Sequence, residues 1–241
     1  MKQLSINSLS EFEKCLNEAS AYMWRGVSNY QHTLLPKVAR DWHLEKHQLV
    51  VSERSLLQQF KVRSRPYLTT VPSNEWEWLA VGQHYGLPTR LLDWTLNPLV
   101  ALYFACTGDT DTDGAVYFSR RPNELNTAAV TDPFSINKVL AWHPPQIDHR
   151  MSFQQGLFTI SPNPLVPLSE KIILKVIVPA VSKSSISSSL DKFGIHVATI
   201  FPGLESVATF VTAKYFHLRG FKGKIEDVLR VWEERTLEDG A

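Results

Sequence analysis

The chain has 241 residues, 44% of them hydrophobic and 20% charged, a composition that supports a real core and argues against long disordered tails. Lys and Arg number 25 against 24 Asp and Glu, and the formal net charge of +1 removes any global electrostatic argument for nucleic acid or a membrane surface. Two cysteines, Cys15 and Cys106, sit in apolar stretches outside any CxxC pair, which speaks against a disulfide framework or a structural zinc site. The first residues, MKQLSINSLSEFEK, lack an apolar signal-peptide region, and the longest apolar run (98–106) falls far short of the roughly 20 residues of a membrane span. A cytoplasmic protein with no membrane partner is expected. In chain order, Ser8 or Ser10, each with Glu three residues later, offers a capping box for a helix bearing Phe12, Cys15, Leu16 and Ala19. Residues 21–24 read as a strand. A helix is expected over about 45–63, with Leu49, Val50, Leu56, Leu57 and Phe60 on one face and Pro66 ending it. The tract from Lys37 to Arg65 holds seven basic residues and three acids, a surface for a phosphate-bearing ligand or simply a solvated helix face. Asn74 as N-cap, Glu77 in the box position and Gly86 as stop frame a helix over 75–85. Asn97-Pro98 opens another, apolar all round from 99 to 105 and therefore buried.

The second half is richer in strands. The runs 114–119, 156–160, 171–178 and 195–201 carry Val, Ile, Phe and Tyr between turn residues, and His196 in the last reads as a satisfied core histidine. DTDTDG (109–114) reads as a surface loop without the closing glutamate of a calcium loop. The Ser-rich stretch 182–189 also reads as a loop. A helix should follow Pro202 with Val207, Phe210 and Val211 inward, and Ile225, Val228, Leu229 and Trp232 mark a C-terminal helix over 224–237. No metal site is expected, since the two prolines between His143 and His149 spoil a helical ligand pair. Helices first and strands later imply an α+β fold: one domain over 1–241, its motif-bearing core at about 20–215, with a central mixed or antiparallel sheet flanked by helices.

The block from Gln83 to Cys106 is the densest in chemistry. His84, Tyr85, Thr89, Arg90, Asp93, Trp94 and Thr95 crowd the connection between two helices, where polar groups are costly unless paired or used. Asp93 pairing with Arg90, and Thr95 capping a helix, would explain part of it structurally. Used chemically, His84, Asp93 and Arg90 suit acid–base work in a nuclease or hydrolase, while Arg25 and Arg90 suit phosphate binding without catalysis.

Tyr22-Met23-Trp24-Arg25-Gly26, Leu35-Pro36 and Arg40 resemble the opening motif of the FRG domain, a family named for Phe-Arg-Gly, with Trp24 in place of the phenylalanine. Gln83-His84-Tyr85-Gly86 through Thr89-Arg90-Leu91-Leu92-Asp93-Trp94-Thr95 to Ala101-Leu102-Tyr103-Phe104-Ala105 resembles its central signature, and Arg150, Gln155-Gly156, Phe158-Thr159 and Phe201-Pro202-Gly203-Leu204 are similar to later motifs. The order of motifs is in turn similar to ADP-ribosyltransferases of the Arg–Ser–Glu type. That resemblance implies an ADP-ribosyltransferase-like fold and NAD as substrate. It places Arg25, Gly26, His84, Tyr85, Arg90, Trp94, Thr95 and Tyr103 in the nucleotide site. Arg25 would clamp the pyrophosphate, Thr95 would support it, and Tyr85, Trp94 or Tyr103 would stack on nicotinamide. The glutamate of that pattern has no direct counterpart. Gln155 stands at the matching place, with Glu205 and Asp93 as further candidates to join Arg25 in catalysis. Glu205 also suits the first turn of a helix. The resemblance further implies a macromolecular target, nucleic acid or protein, a toxin or phage-defence role, and an inhibitory partner protein.

Overall fold

A computed structural model describes residues 2–16, 22–40, 45–145, 153–168 and 172–218. They form two compact units, Met1–Ile195 and His196–Ala241. The first contains β1 (Lys2–Ser5), α1 (Leu9–Lys14), β2 (Tyr22–Val27), α2 (Lys46–Ser64), α3 (Glu75–His84), β3 (Leu91–Thr95), α4 (Pro98–Cys106), β4 (Gly114–Arg120), β5 (Leu140–Trp142), β6 (Gly156–Ile160), β7 (Ile172–Val178) and α5 (Ala180–Lys192). The second contains α6 (Val197–Ile200) and α7 (Leu204–Leu218). The fold is α+β, with a seven-stranded mixed sheet in the order β1-β7-β4-β2-β3-β6-β5. Only β1 and β7 run parallel; every other neighbouring pair is antiparallel.

The period-2 pattern of the strands divides two cores. Leu91, Phe158, Ile160, Leu140 and Trp142 meet Trp76, Trp78, Leu79 and Leu57 from α3 and α2. Met23, Val27, Leu92, Trp94, Tyr117 and Leu157 form the second core, closed by Leu34 and Leu168 from loops. Helix α3 starts as its sequence dictates: the Asn74 side chain accepts from the Glu77 amide, and Glu77 reaches back to Ser73. It stops at Gly86, whose φ of 87° a side chain would disfavour. Helix α4 starts where Asn97 accepts from the Leu99 amide ahead of Pro98, and six of its nine residues are buried.

Helix α4 lies unusually close to the sheet, and two glycines explain it. A Cβ on Gly26 would stand 1.8 Å from the Ala101 carbonyl oxygen, and one on Gly114 would stand 2.1 Å from that of Ala105. The two carbonyls are one helical turn apart, and the two glycines sit on adjacent strands. The glycine of Trp24-Arg25-Gly26 therefore serves helix packing.

Several expectations are corrected. Residues 182–189 lie inside α5, because Ile186 and Leu190 repeat at helical spacing and are fully buried, while Ser185 and Ser189 bond back to the preceding turn. The stretch 195–201 is not a strand; His196 caps the short helix α6 and stacks on Phe210 at 3.9 Å. Ser8, not Ser10, caps α1. Val207 and Val211 on α7 are exposed. Residues 91–95, which the residues alone present as a connection and the transferase resemblance presents as a strand ahead of a helix, are a central strand, and β1 and β5 are additional. Within the basic tract two cations have carboxylate partners, Arg54 with Asp132 at 2.6 Å and Lys61 with Glu75, while Lys37 donates to the Gly86 carbonyl at 2.7 Å and stays exposed. The helix expected over 224–237, with residues 148–150, lies outside the described residues. Among the described residues no helix is long and apolar enough to cross a membrane, and no three His, Cys, Asp or Glu cluster as metal ligands.

Candidate active site

Strands β2 and β3 touch through a single ladder pair, Trp24 and Thr95. Toward the end of β2 the ladder gives out, and the Arg25 side chain takes over the missing donor role. Its Nη1 donates to the main-chain carbonyl of Asp93 at 2.7 Å and lies 3.6 Å from Asp93 Oδ2. A charge-assisted bond of this kind contributes about 1.5–3 kcal/mol. The Arg25 side chain is 13% exposed, and its Nε is buried with no hydrogen-bond partner among the described residues. Burial lowers the Arg25 guanidinium from its ordinary value and the Asp93 carboxylate pulls it back up. It remains the cation at neutral pH.

The Asp93 carboxylate is 54% exposed and held from a second side. Gln83 Nε2, from the last turn of α3, stands 3.0 Å from both carboxylate oxygens. The orientation of that amide follows from its neighbours: the Leu91 amide donates to Thr89 Oγ1, and the Thr89 hydroxyl donates to Gln83 Oε1 at 2.7 Å. The chain Leu91–Thr89–Gln83–Asp93 thus runs from buried backbone to an exposed carboxylate.

Asp93 opens into a small cleft of about 100 Å³. Gln83, His84, Asp93 and Gln154 supply its polar lining; Ala80, Trp94, Leu157 and Phe158 form apolar walls. Thr95 shapes the far side. Its hydroxyl donates to the Gln154 carbonyl at 2.6 Å and accepts from the Asn97 amide. Next to it, Gln155 has φ of 45°, the one non-glycine residue in the left-handed region among those described, and its carbonyl accepts from Leu96. The bend turns Gln154, not Gln155, toward the cleft.

Of the residues singled out from sequence, Arg25, His84, Asp93 and Trp94 converge here. Thr95 contributes through structure, with its hydroxyl spent on the backbone. Gln155 supplies the turn and not a cleft side chain. Trp94 is a buried wall whose indole NH donates to Thr159 at 2.9 Å, and Tyr103 is buried on α4, so neither offers an open stacking face. Arg90 departs most from expectation. Instead of meeting Asp93 or a phosphate, its guanidinium is fully buried, donates to both Glu53 oxygens at 3.0 and 2.5 Å, and lies 4.6 Å from the Phe134 ring centre. Glu205 stands in the first turn of α7 in the second unit. Gln154 is the residue the sequence reading passed over, while Gln83 and Thr89 stood in the named block without a role. Gln83 and Thr89 signal themselves only as polar side chains destined for burial beside Asp93.

A scan against family models matches residues 20–114 to the FRG domain. Comparison with the curated proteins finds no match, nor does comparison with the solved structures. The matched span ends before the later motifs at 150–159 and 201–204, but it holds β2, α3, β3, α4, the Arg25–Asp93–Gln83 constellation, and both glycines under α4. This chain therefore carries an FRG domain at residues 20–114.

Proposed function

We propose that this FRG domain is an NAD-consuming ADP-ribosyltransferase that works at the Asp93 cleft and passes ADP-ribose to a macromolecule. The observation that carries the reading is the Asp93 carboxylate, fixed by Arg25 and Gln83 yet half open to a polar cleft. Breaking the bond between nicotinamide and ribose leaves the electron pair on the ring nitrogen and positive charge on C1′. A carboxylate held in place before that charge develops stabilises it without reorganising. The Gln154 amide, on the same cleft, suits a ribose hydroxyl or the nicotinamide carboxamide. The acceptor's nucleophile then attacks C1′, and His84 on the same cleft takes its proton. In this scheme Arg25 braces Asp93 through Nη1 instead of clamping pyrophosphate.

Nicotinamide release and transfer of labelled ADP-ribose test it. Asp93→Asn should lower both by about 100-fold while melting at the wild-type temperature. Wild-type protein that consumes no NAD with any acceptor pool, or an Asp93→Asn variant of full activity, overturns it. The shared placement of His84 and Asp93 favours one alternative, a hydrolase acting without NAD. Cleavage of an oligonucleotide in NAD-free buffer, lost in both His84→Ala and Asp93→Asn, would establish that instead.

A further inference from the structure

Two exposed aromatic side chains stand next in the chain to residues that line the cleft. Tyr85 follows the cleft residue His84, is 69% exposed, and meets the His84 ring edge-on at 4.9 Å. Phe153 precedes the cleft residue Gln154 and is 54% exposed. Each leaves apolar area in water, and each flanks a polar cleft residue. The charges nearby are arranged by sign. The carboxylate, Asp93, is inside the cleft. The cations are outside it: the Lys37 ammonium is held against Gly86, directly after Tyr85, and the exposed Arg40 is near enough to Arg25 to act on its charge.

Exposed aromatic faces beside lining residues, exposed cations nearby and a carboxylate within suit a site that takes bases by stacking and keeps phosphates on the outside. We propose that the acceptor is single-stranded nucleic acid, with unpaired bases stacked on Tyr85 and Phe153 and its backbone running past Lys37 and Arg40. This rests on the ADP-ribosyl-transfer reading of the cleft and names its target class. Duplex does not fit the same way, because its bases show their faces only to each other.

Fluorescence anisotropy of labelled 12-nucleotide single-stranded DNA and RNA, with the full chain and no NAD, tests the proposal. Binding should appear at low salt and weaken as salt rises. Tyr85→Ala and Phe153→Ala should each weaken it about 10-fold, and Tyr85→Trp should restore it. Lys37→Gln should flatten the salt dependence by about one unit of slope. The substituted aromatics are exposed, so unchanged melting temperatures show that folding is intact. Asp93→Asn should bind the oligonucleotide normally while losing NAD turnover, which separates failure of this proposal from failure of the catalytic reading. The proposal is overturned by any of three results: no binding of either strand type at low salt, binding indifferent to both aromatic substitutions, or aromatic substitutions that raise only the KM for NAD while labelling falls on protein.

Discussion

Asp93 shows how far a side chain's chemistry depends on neighbours that sequence proximity does not reveal. Arg25 and Asp93 both stand out in the sequence, yet their pairing does not, because 68 residues separate them and only the splay of β2 from β3 brings them together. Arg90, three positions before Asp93, is the obvious local partner but is drawn away to Glu53 on α2. The orientation of the carboxylate is set through Thr89, whose hydroxyl leaves the Gln83 amide only one way to face. Thr89→Val keeps the shape and removes that constraint, so Gln83 can turn its oxygen toward Asp93 and repel it. Nicotinamide release should fall about 10-fold, with stability lower by about 1–2 kcal/mol from the lost buried hydrogen bonds. Thr89→Ser should recover the activity. A Thr89→Val enzyme of wild-type rate would show that the relay does not orient the carboxylate.

Among elements, those with local signals were legible and those defined by pairing were not. Asn74 with Glu77, and Asn97 with Pro98, mark the starts of α3 and α4 because capping is written within four residues. Strand β3 is only five residues long with the polar Asp93 at its centre, so it reads as a loop until β6 is seen beside it. Helix α5 hides behind its serines, whose usual preference for turns is overruled by Ile186 and Leu190. The closeness of α4 to the sheet has no signal beyond the two glycines that permit it. Gly26→Ala should therefore lower unfolding free energy by about 3 kcal/mol in urea, since neither the strand nor the Ala101 carbonyl can give way cheaply. Gly156→Ala is the control: its nearest neighbour is 3.9 Å away, and it should change stability by less than about 1 kcal/mol. Gln155 offers the opposite case. Gln155→Gly relieves a left-handed backbone worth roughly 1–2 kcal/mol and gives up unfolded-state stiffness, so stability should stay level or rise slightly. A clear loss in thermal melting would mean that the Gln155 side chain holds the turn.

Across the molecule, two buried groups report on how firmly the parts are joined. Cys106, the last residue of α4, is 3% exposed, and burial pushes its thiol up to about 12. Native protein at pH 8 should react with a thiol reagent at Cys15 alone, slowly because that thiol is also raised by burial, and at Cys106 only when denatured. Early reaction at Cys106 would show that α4 opens without global unfolding. The Glu53–Arg90 pair joins α2 to the start of β3, with side chains 2% and 0% exposed and Phe134 stacked over the guanidinium. Removing one partner leaves the other charged in a site closed to water. Arg90→Met should cost about 3–5 kcal/mol at pH 7, and Arg90→Met with Glu53→Leu should restore most of it, because the cost lies in the stranded charge. The pH dependence follows from the carboxyl. Burial pushes Glu53 up from its ordinary value even against the pull of Arg90. Without the arginine it rises further. A carboxyl whose folded value is raised contributes stability that is fully present below its unfolded value of about 4.3 and is lost as pH climbs through the folded value. The deficit of Arg90→Met should therefore be small near pH 4 and grow toward pH 7 in urea denaturation, while the double variant should show no such growth. A deficit constant with pH would instead assign the cost to lost packing against Phe134, and would make the ion pair incidental to the joining of α2 and β3.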